Sequence, residues 1–249
     1  MSHDHLDDVS READIRDVIR RKPALREFYD AMYRRYQACA QQLPSNGTIL
    51  ELGSGGGYAK EFLPRLITSD VLPYDGVDRA LDATNLPYDD RSLSGIFMLN
   101  TFHHIPDVEA FLHEATRCLV PGGRVLILDQ HVGPISWPVL NWFHHEPFEP
   151  DSERWQFDSS GPLSGANGAL AWIVFQRDLH RFEVTYPGLK LREYRPHSPL
   201  FYWMAGGMKS WSLISEAMIP LARRMDELLC LVSLDLGSFV DIELMRLDD

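Results

Sequence analysis

The stretch ILELGSGGGYAKEFLP, which begins at Ile49, constrains the fold more than any other part of the chain. Gly53, Gly55, Gly56 and Gly57 fall inside one five-residue window, directly after an apolar run of β type. Glycine loses more conformational freedom on ordering than any other residue, so such a cluster implies left-handed dihedrals or a ligand lying against the main chain. The residues that follow, YAKEFLPRL, read as a helix as far as Pro64. The unit is strand, glycine loop, helix.

The same alternation continues downstream. A short strand is expected to end near Asp70, another covers 77–82, and SLSGIFMLN holds a buried strand over 95–100. DVEAFLHEATRCL has helical spacing, and VPGGRVLILD reads as a turn into a strand with four consecutive apolar residues, the pattern of a strand covered on both faces. Strands alternating with helices imply a mostly parallel sheet flanked by helices. Upstream, Leu25, Phe28, Met32, Tyr33 and Tyr36 recur at three and four residues, which predicts an amphipathic helix over 23–39. A shorter helix before it has Ser10 as N-cap and Ile15, Val18 and Ile19 inward. LKLREY and SFVDIEL alternate as late strands. The fold class is therefore α/β, Rossmann-like, with an N-terminal helical cap and an irregular insertion after the fifth strand. The chain is expected to be a single domain over 1–249, divided into a cap (1–44), a core (45–132), a lid (133–170) and a C-terminal part (171–249).

Composition removes several function classes. The formal net charge of −12 is the wrong sign for a nucleic-acid binder, which needs a basic face to displace counterions from phosphates. The longest apolar runs fall far short of the roughly 20 residues of a spanning helix, so no membrane insertion is expected. The opening MSHDHLDDVS has acids where a secretory leader has a basic segment, which points to the cytoplasm. Cys39, Cys118 and Cys230 form no CxxC pair and read as reduced thiols in the core.

The dinucleotide fingerprint G-x-G-x-x-G requires a third glycine where this chain has Tyr58, and the G-K-[ST] ending of a triphosphate loop is absent. The register is G-x-G-x-G. In that register ILELGSGGG resembles the first motif of class I S-adenosylmethionine-dependent methyltransferases. SDV resembles the end of their second strand, DATNLPYDDRSLSGIFMLNTFHHI the segment around adenine and the fourth strand, and EATRCLVPGGRVLILD the helix, turn and fifth strand. The resemblance covers residues 49–129, with four motifs in order. It implies S-adenosylmethionine as cofactor and S-adenosylhomocysteine as its product. By the same resemblance Gly53, Ser54, Gly55 and Gly57 lie against the methionine and ribose parts, with the carboxylate near a helix N-terminus. Glu51 assists the amino end, Asp70 takes the ribose hydroxyls, Asp82 and Ala83 lie beside adenine, and Asn100 lines the pocket under the sulfonium. Asp70 and Asp82 have a plainer alternative as acids that cap loops.

Methyl transfer from a sulfonium requires alignment above all, and a hydroxyl acceptor gains from a base that removes its proton. His103, His104, His144 and His145 are the candidate bases or acceptor contacts, with His131 a fifth. A metal held by His144, His145 and Glu146 is disfavoured, because adjacent residues rarely chelate together and no matched ligand pair appears at useful spacing. Residues 133–170 carry five prolines, no sustained period and three of the chain's six tryptophans, all of which lie beyond Asp129; with the helix around 28–36 they are expected to cover a small-molecule acceptor. The reading is methyl transfer to a small molecule, at a hydroxyl oxygen. The alternatives are a nicotinamide-dependent oxidoreductase and a protein that binds S-adenosylmethionine without turnover.

Overall fold

The computed structural model describes residues 11–55, 58–144, 146–159, 161 and 165–248. Ser10, the expected N-cap, lies outside them. Two helices lead in: α1 (Arg11–Arg21) and α2 (Pro23–Ala40), the second with proline in its first turn, where a missing N–H is harmless. On α2 the residues Leu25, Phe28, Met32, Tyr33 and Tyr36 are all buried, as the spacing predicts.

The strands β1 (Thr48–Leu52), β2 (Ile67–Asp70), β3 (Arg79–Ala80), β4 (Leu93–Leu99), β5 (Leu119–Gln130), β6 (Leu189–His197) and β7 (Phe239–Arg246) form one sheet in the order β3-β2-β1-β4-β5-β7-β6. The first five pair in parallel, and β7 runs antiparallel to both of its neighbours. The expected α/β class stands. The strand order reverses between β1 and β4, where open sheets of this kind place their ligands at the carboxyl ends of the strands.

Side chains alternate across these strands, so each strand feeds two cores. Leu50, Leu52, Ile96 and Met98 face one layer, built by α3 (Val108–Cys118), Trp155 and the segment from α5 (Leu170–Trp172) to α6 (Leu179–Thr185). Phe97 and Leu99 face the other, against α1, α2 and α7 (Phe201–Met204). On this second face, alternation places Glu51 beside the tyrosines of α2. Helix α3 begins at Asp107, whose carboxylate accepts from the Ala110 N–H at 3.0 Å, a conventional N-cap. Between β6 and β7 lies α8 (Ile219–Val232).

Three local expectations are corrected. The helix after the glycine loop is a single 3-10 turn, Tyr58–Glu61, because Pro64 closes the segment before an α-helix can propagate. The turn at Pro121 and Gly122 is a bulge inside β5: Leu93 pairs with Leu119, yet Gly95 pairs with Arg124, and Gly122 takes a φ of 75°. The segment after β5 is not wholly irregular, for α4 (Ser136–Trp142) opens it. Trp155 of that segment is a core residue, 1% exposed, with its indole N–H donating to Asp178 at 2.9 Å. In the helix around 28–36, Phe28 and Tyr36 pack inside the α2 core layer. Cys39 and Cys118 are buried thiols as expected, whereas Cys230 on α8 is only partly buried. Among the described residues no helix is long and apolar enough to cross a membrane.

Candidate functional site

A cleft opens at the reversal point between β1 and β4. Glu51, Gly53, Ser54 and Gly55 line it from the loop after β1, with Leu99 and Asn100 from the end of β4. Tyr29 and Tyr33 of α2, and Ile15, Arg16 and Ile19 of α1, complete the wall. Sequence reasoning placed the loop residues and Asn100 here; it did not place Arg16, Tyr29 or Tyr33.

The two described glycines of the loop answer different needs. Gly53 has a φ of 67°, and a β-carbon there would stand 2.4 Å from the Thr101 methyl, so the turn itself excludes a side chain. Gly55 has a φ of 50°, yet a β-carbon there would meet nothing within 4 Å, which leaves its main chain bare toward open space. Gly57 lies outside the described residues. Because only a 3-10 turn follows, the loop lacks the α-helix N-terminus expected for an anion, and Arg16 is the cation that the cleft presents instead.

Ser54 acts as a latch between strands. Its hydroxyl donates to Glu51 Oε2 at 2.7 Å and accepts from the Ser69 N–H at 3.1 Å. Glu51 is 1% exposed, and burial pushes its carboxyl up to about 7, with Asp70 adding to the shift against the Ser54 hydrogen bond. Asp70 closes the loop: its Oδ2 accepts from the Gly55 N–H at 3.0 Å and its Oδ1 from the Leu72 N–H at 3.3 Å. Burial raises its pKa too, opposed by these backbone donors and by His104. Asp82 is exposed and accepts from the Thr84 N–H at 2.8 Å and the Thr84 hydroxyl at 2.7 Å, which is the loop-capping role of a turn acid. Ala83 packs against the adjoining core. Neither they nor Asp70 line the cleft.

Asn100 has a φ of 52°, a left-handed conformation uncommon outside glycine, and its N–H donates to Leu128 O at 2.8 Å. That turn leads the chain from β4 into a 3-10 turn, Phe102–His104, which carries two of the candidate histidines. His103 is 2% exposed; its Nδ1 lies 2.6 Å from Asp129 Oδ1, at the end of β5, and its Nε2 lies 3.3 Å from Glu146 Oε2. Burial opposes charge on this ring, but the two carboxylates outweigh it and hold the imidazolium up to about 10. His104 Nδ1 stands 3.1 Å from Gly165 O and its Nε2 3.6 Å from Glu146 Oε1. His144 Nδ1 is 3.5 Å from Glu146 Oε2, with its ring 6.4 Å from that of Trp203. Burial would raise the Glu146 pKa, yet His103 and His104 hold it well below the usual carboxylate range. His145 lies outside the described residues. His131 belongs elsewhere: its Nδ1 pairs with the Tyr194 hydroxyl at 2.9 Å, and burial lowers its pKa to about 4.

Three candidate histidines thus converge on one carboxylate, Glu146, supplied by the segment after α4. Sequence reasoning named the histidines and weighed Glu146 only beside His144 and His145. It missed the pairing of His103 with Asp129, because these residues are 26 positions apart and meet only through adjacent parallel strands.

Comparison with known proteins gives a consistent setting. Residues 50–127 match the family described as methyltransferase domain. A 27-O-demethylrifamycin SV methyltransferase of Amycolatopsis mediterranei is 42% identical over 48 residues, which are 19% of this chain and 18% of that protein. A fatty-acid O-methyltransferase of Mycolicibacterium smegmatis is 29% identical over 113 residues, 38% of this chain and 41% of that protein. The chain therefore spans less than half the length of the curated relatives it matches. Among solved structures, geranyl diphosphate C-methyltransferase from Streptomyces coelicolor, crystallised with Mg2+, geranyl diphosphate and S-adenosylhomocysteine, superposes with a TM-score of 0.51 at 15% identity, over 89% of this chain and 80% of that one. That likeness is one of fold.

Proposed function

The chain belongs to the class I S-adenosylmethionine-dependent methyltransferase family, and from that premise we propose that it methylates a hydroxyl oxygen of a small acceptor. The observation that carries this reading is the convergence of His103, His104 and His144 on Glu146, with His103 and His104 in the turn that follows Asn100, a residue lining the cleft with Glu51 and Gly55. Nitrogen acceptors with a lone pair need no base, whereas a hydroxyl does. Of the two curated relatives named above, one is an O-methyltransferase by name and the other is named for an O-demethylated substrate, which supports the same choice.

The cleft fits the cofactor on its own features. Gly55 leaves room for a ligand against the backbone, Glu51 is a buried carboxyl suited to an amino group, and Arg16 faces the same space as a partner for a carboxylate. Asp70, assigned to the ribose hydroxyls by resemblance, does not line the cleft and acts through the loop, accepting from its Gly55 N–H. Bound there, S-adenosylmethionine would supply an electrophilic sulfonium methyl for the acceptor oxygen, with the thioether as leaving group.

The residues of the chain then supply alignment and a path for the proton. His103 lies between Asp129 and Glu146, whose carboxylates favour its charged form against burial, and fixes the site electrostatically. His144, on the segment after α4, takes the acceptor proton, and the Glu146 carboxylate stabilises the imidazolium as it forms. Tyr202 and Trp203, packed edge to face at 5.2 Å beside His144, give the acceptor an apolar wall.

A thermal-shift series with S-adenosylhomocysteine, NAD and NADP tests the reading, since a ligand bound only by the native state raises stability. Stabilisation by S-adenosylhomocysteine alone is expected. Stabilisation by NAD alone would replace the reading with the nicotinamide one.

A further inference from the structure

We propose that His103, His104 and Glu146 form a binding site for a divalent transition-metal ion, zinc foremost, with a coordination position left for the acceptor hydroxyl. The inference rests on the methyl-transfer reading only for the identity of that last occupant.

The ligand atoms are already gathered. One nitrogen from each histidine and one carboxylate oxygen of Glu146 lie within 4.8 Å of one another. Donors held at 2.0–2.1 Å around a tetrahedral ion stand roughly 3.3 Å apart. The Nε2-to-carboxylate separations run to different oxygens of Glu146, 3.3 Å from His103 to Oε2 and 3.6 Å from His104 to Oε1; both lie near that spacing and exceed the roughly 2.7–2.9 Å of a charge-assisted hydrogen bond. Imidazole with carboxylate is a donor set for zinc, iron, copper or nickel, whereas magnesium and calcium take oxygen ligands.

The orientation of both rings is set independently of Glu146. His103 Nδ1 faces the Asp129 carboxylate at 2.6 Å, and His104 Nδ1 faces a backbone carbonyl, Gly165 O, at 3.1 Å. Each acceptor holds Nδ1 as the donor and turns Nε2 toward Glu146, so that Nε2 is the atom left to ligate when an ion displaces its proton, which is how metal-bound histidines are oriented by their surroundings. The reason sequence spacing argued against chelation by neighbours does not apply here. The adjacent histidines lie in a tight 3-10 turn, with rings 4.2 Å apart and inclined by 41°, and the third ligand comes from a different segment. Charge agrees as well: Asp129 and Glu146 bring two negative charges, which a dication balances with both imidazoles neutral. Asp129 is then a positioning residue. The acceptor hydroxyl, once on the ion, becomes more acidic, and His144 at 3.5 Å from Glu146 receives its proton.

Chelator-stripped protein dialysed against ZnCl2, with bound metal counted by mass spectrometry, and Co2+ titration followed by visible absorption test the site directly. About one ion per chain is expected, with the d–d bands of low-coordinate cobalt. His104→Ala and Glu146→Gln should each lower Zn2+ affinity at least about tenfold, and Asp129→Asn by about 10–100-fold. All three should keep the rise in melting temperature caused by S-adenosylhomocysteine, which shows that they fold; if one fails to fold, the others still decide. Failure to bind Zn2+ at stoichiometry, or affinity unchanged in these variants, would overturn the proposal and leave the cluster as an imidazolium–carboxylate pair. A protein that responds to S-adenosylhomocysteine without binding Zn2+ loses only the metal site, and one that binds Zn2+ through these residues without that response keeps the site and loses the methyl-transfer reading.

Discussion

Replacing Glu51 by glutamine should stabilise the free protein above neutral pH and weaken the cofactor, a reversal of the usual consequence of deleting a buried charge. In the folded chain burial lifts this carboxyl from 4.5 to about 7, and the Ser54 hydroxyl and the tyrosines of α2 leave it no solvent. By linkage that displacement is worth about 3 kcal/mol. The sign follows from linkage: the folded state binds the proton more tightly than the unfolded one, so stability falls as pH rises from about 4.5 and the full cost is reached above about 7. Glutamine keeps the oxygen that accepts from Ser54 and carries no charge. At pH 8 the variant should therefore melt higher than wild type, by up to about 6–12 °C if the whole penalty is relieved, while at pH 5 the two should differ little.

The cofactor arm of the same experiment reads the function. A cationic amino group beside Glu51 favours the carboxylate, so wild type should release about half a proton at pH 7 when it binds S-adenosylhomocysteine. Calorimetry in two buffers of different ionisation enthalpy measures that number. The glutamine variant should release none from this site and bind at least about tenfold more weakly, the loss of one hydrogen bond to a charged group. Wild-type stability that is flat between pH 5 and 8, together with no gain at pH 8 in the variant, would refute the strained carboxyl; unchanged affinity would refute its role at the amino end.

Asp70→Ala should weaken S-adenosylhomocysteine binding by about 1.5–3 kcal/mol in calorimetry, with part of the loss arising from release of the Gly55 N–H. Gly53→Ala should cost stability in chemical denaturation whether or not ligand is present, since its β-carbon meets Thr101, whereas Gly55→Val should fold and lose binding. Once an acceptor is known, His144→Ala should lower kcat by about 10²–10⁴-fold with little change in cofactor affinity, as expected for a general base. Asp107→Ala should cost about 1 kcal/mol in the same unfolding assay without touching either ligand, because it removes the N-cap of α3.

What the sequence showed of this molecule follows from the range over which each signal acts. Alternation and helical spacing are local, so β1, β4, α2 and α3 appear where their residues predict them. Glu51, Gly53, Gly55 and Asn100 were legible for the same reason, each lying at or next to the end of a strand. The helix after the loop was misread because the spacing of YAKEFL is helical, yet the loop before it and Pro64 after it leave room for only one turn. For Asp82 the sequence offered both adenine and a turn, and the Thr84 hydrogen bonds supply the turn contacts. The histidine cluster was half legible: residue type and position after β4 marked His103 and His104, but Glu146 is more than 40 residues further along, and its segment is tied there through Asn167, which accepts from the Glu149 N–H and donates its own N–H to His103 O.

That difference in range also divides the site physically. The cleft wall is built mainly by β1, the end of β4 and the two N-terminal helices, whereas the histidine cluster depends on Asp129 from β5 and on Glu146 and His144 from the segment that follows α4. The two halves meet at the Asn100 turn, where the backbone of β4 changes direction in a left-handed conformation and carries Thr101 against Gly53 on one side and His103 toward Asp129 on the other. A left-handed non-glycine residue costs of order 1–3 kcal/mol and persists only where its surroundings fix it. Here the fixing contacts are the Asn100 N–H to Leu128 O and the 3-10 turn that follows. Asn100→Gly should therefore keep the fold and relieve that strain, but loosen the orientation of His103 relative to Gly53. The expected outcome is unchanged or slightly raised melting temperature with lower kcat at nearly constant cofactor affinity. A variant that retains full turnover would show that the turn sets the path of the chain and not the alignment of the two halves.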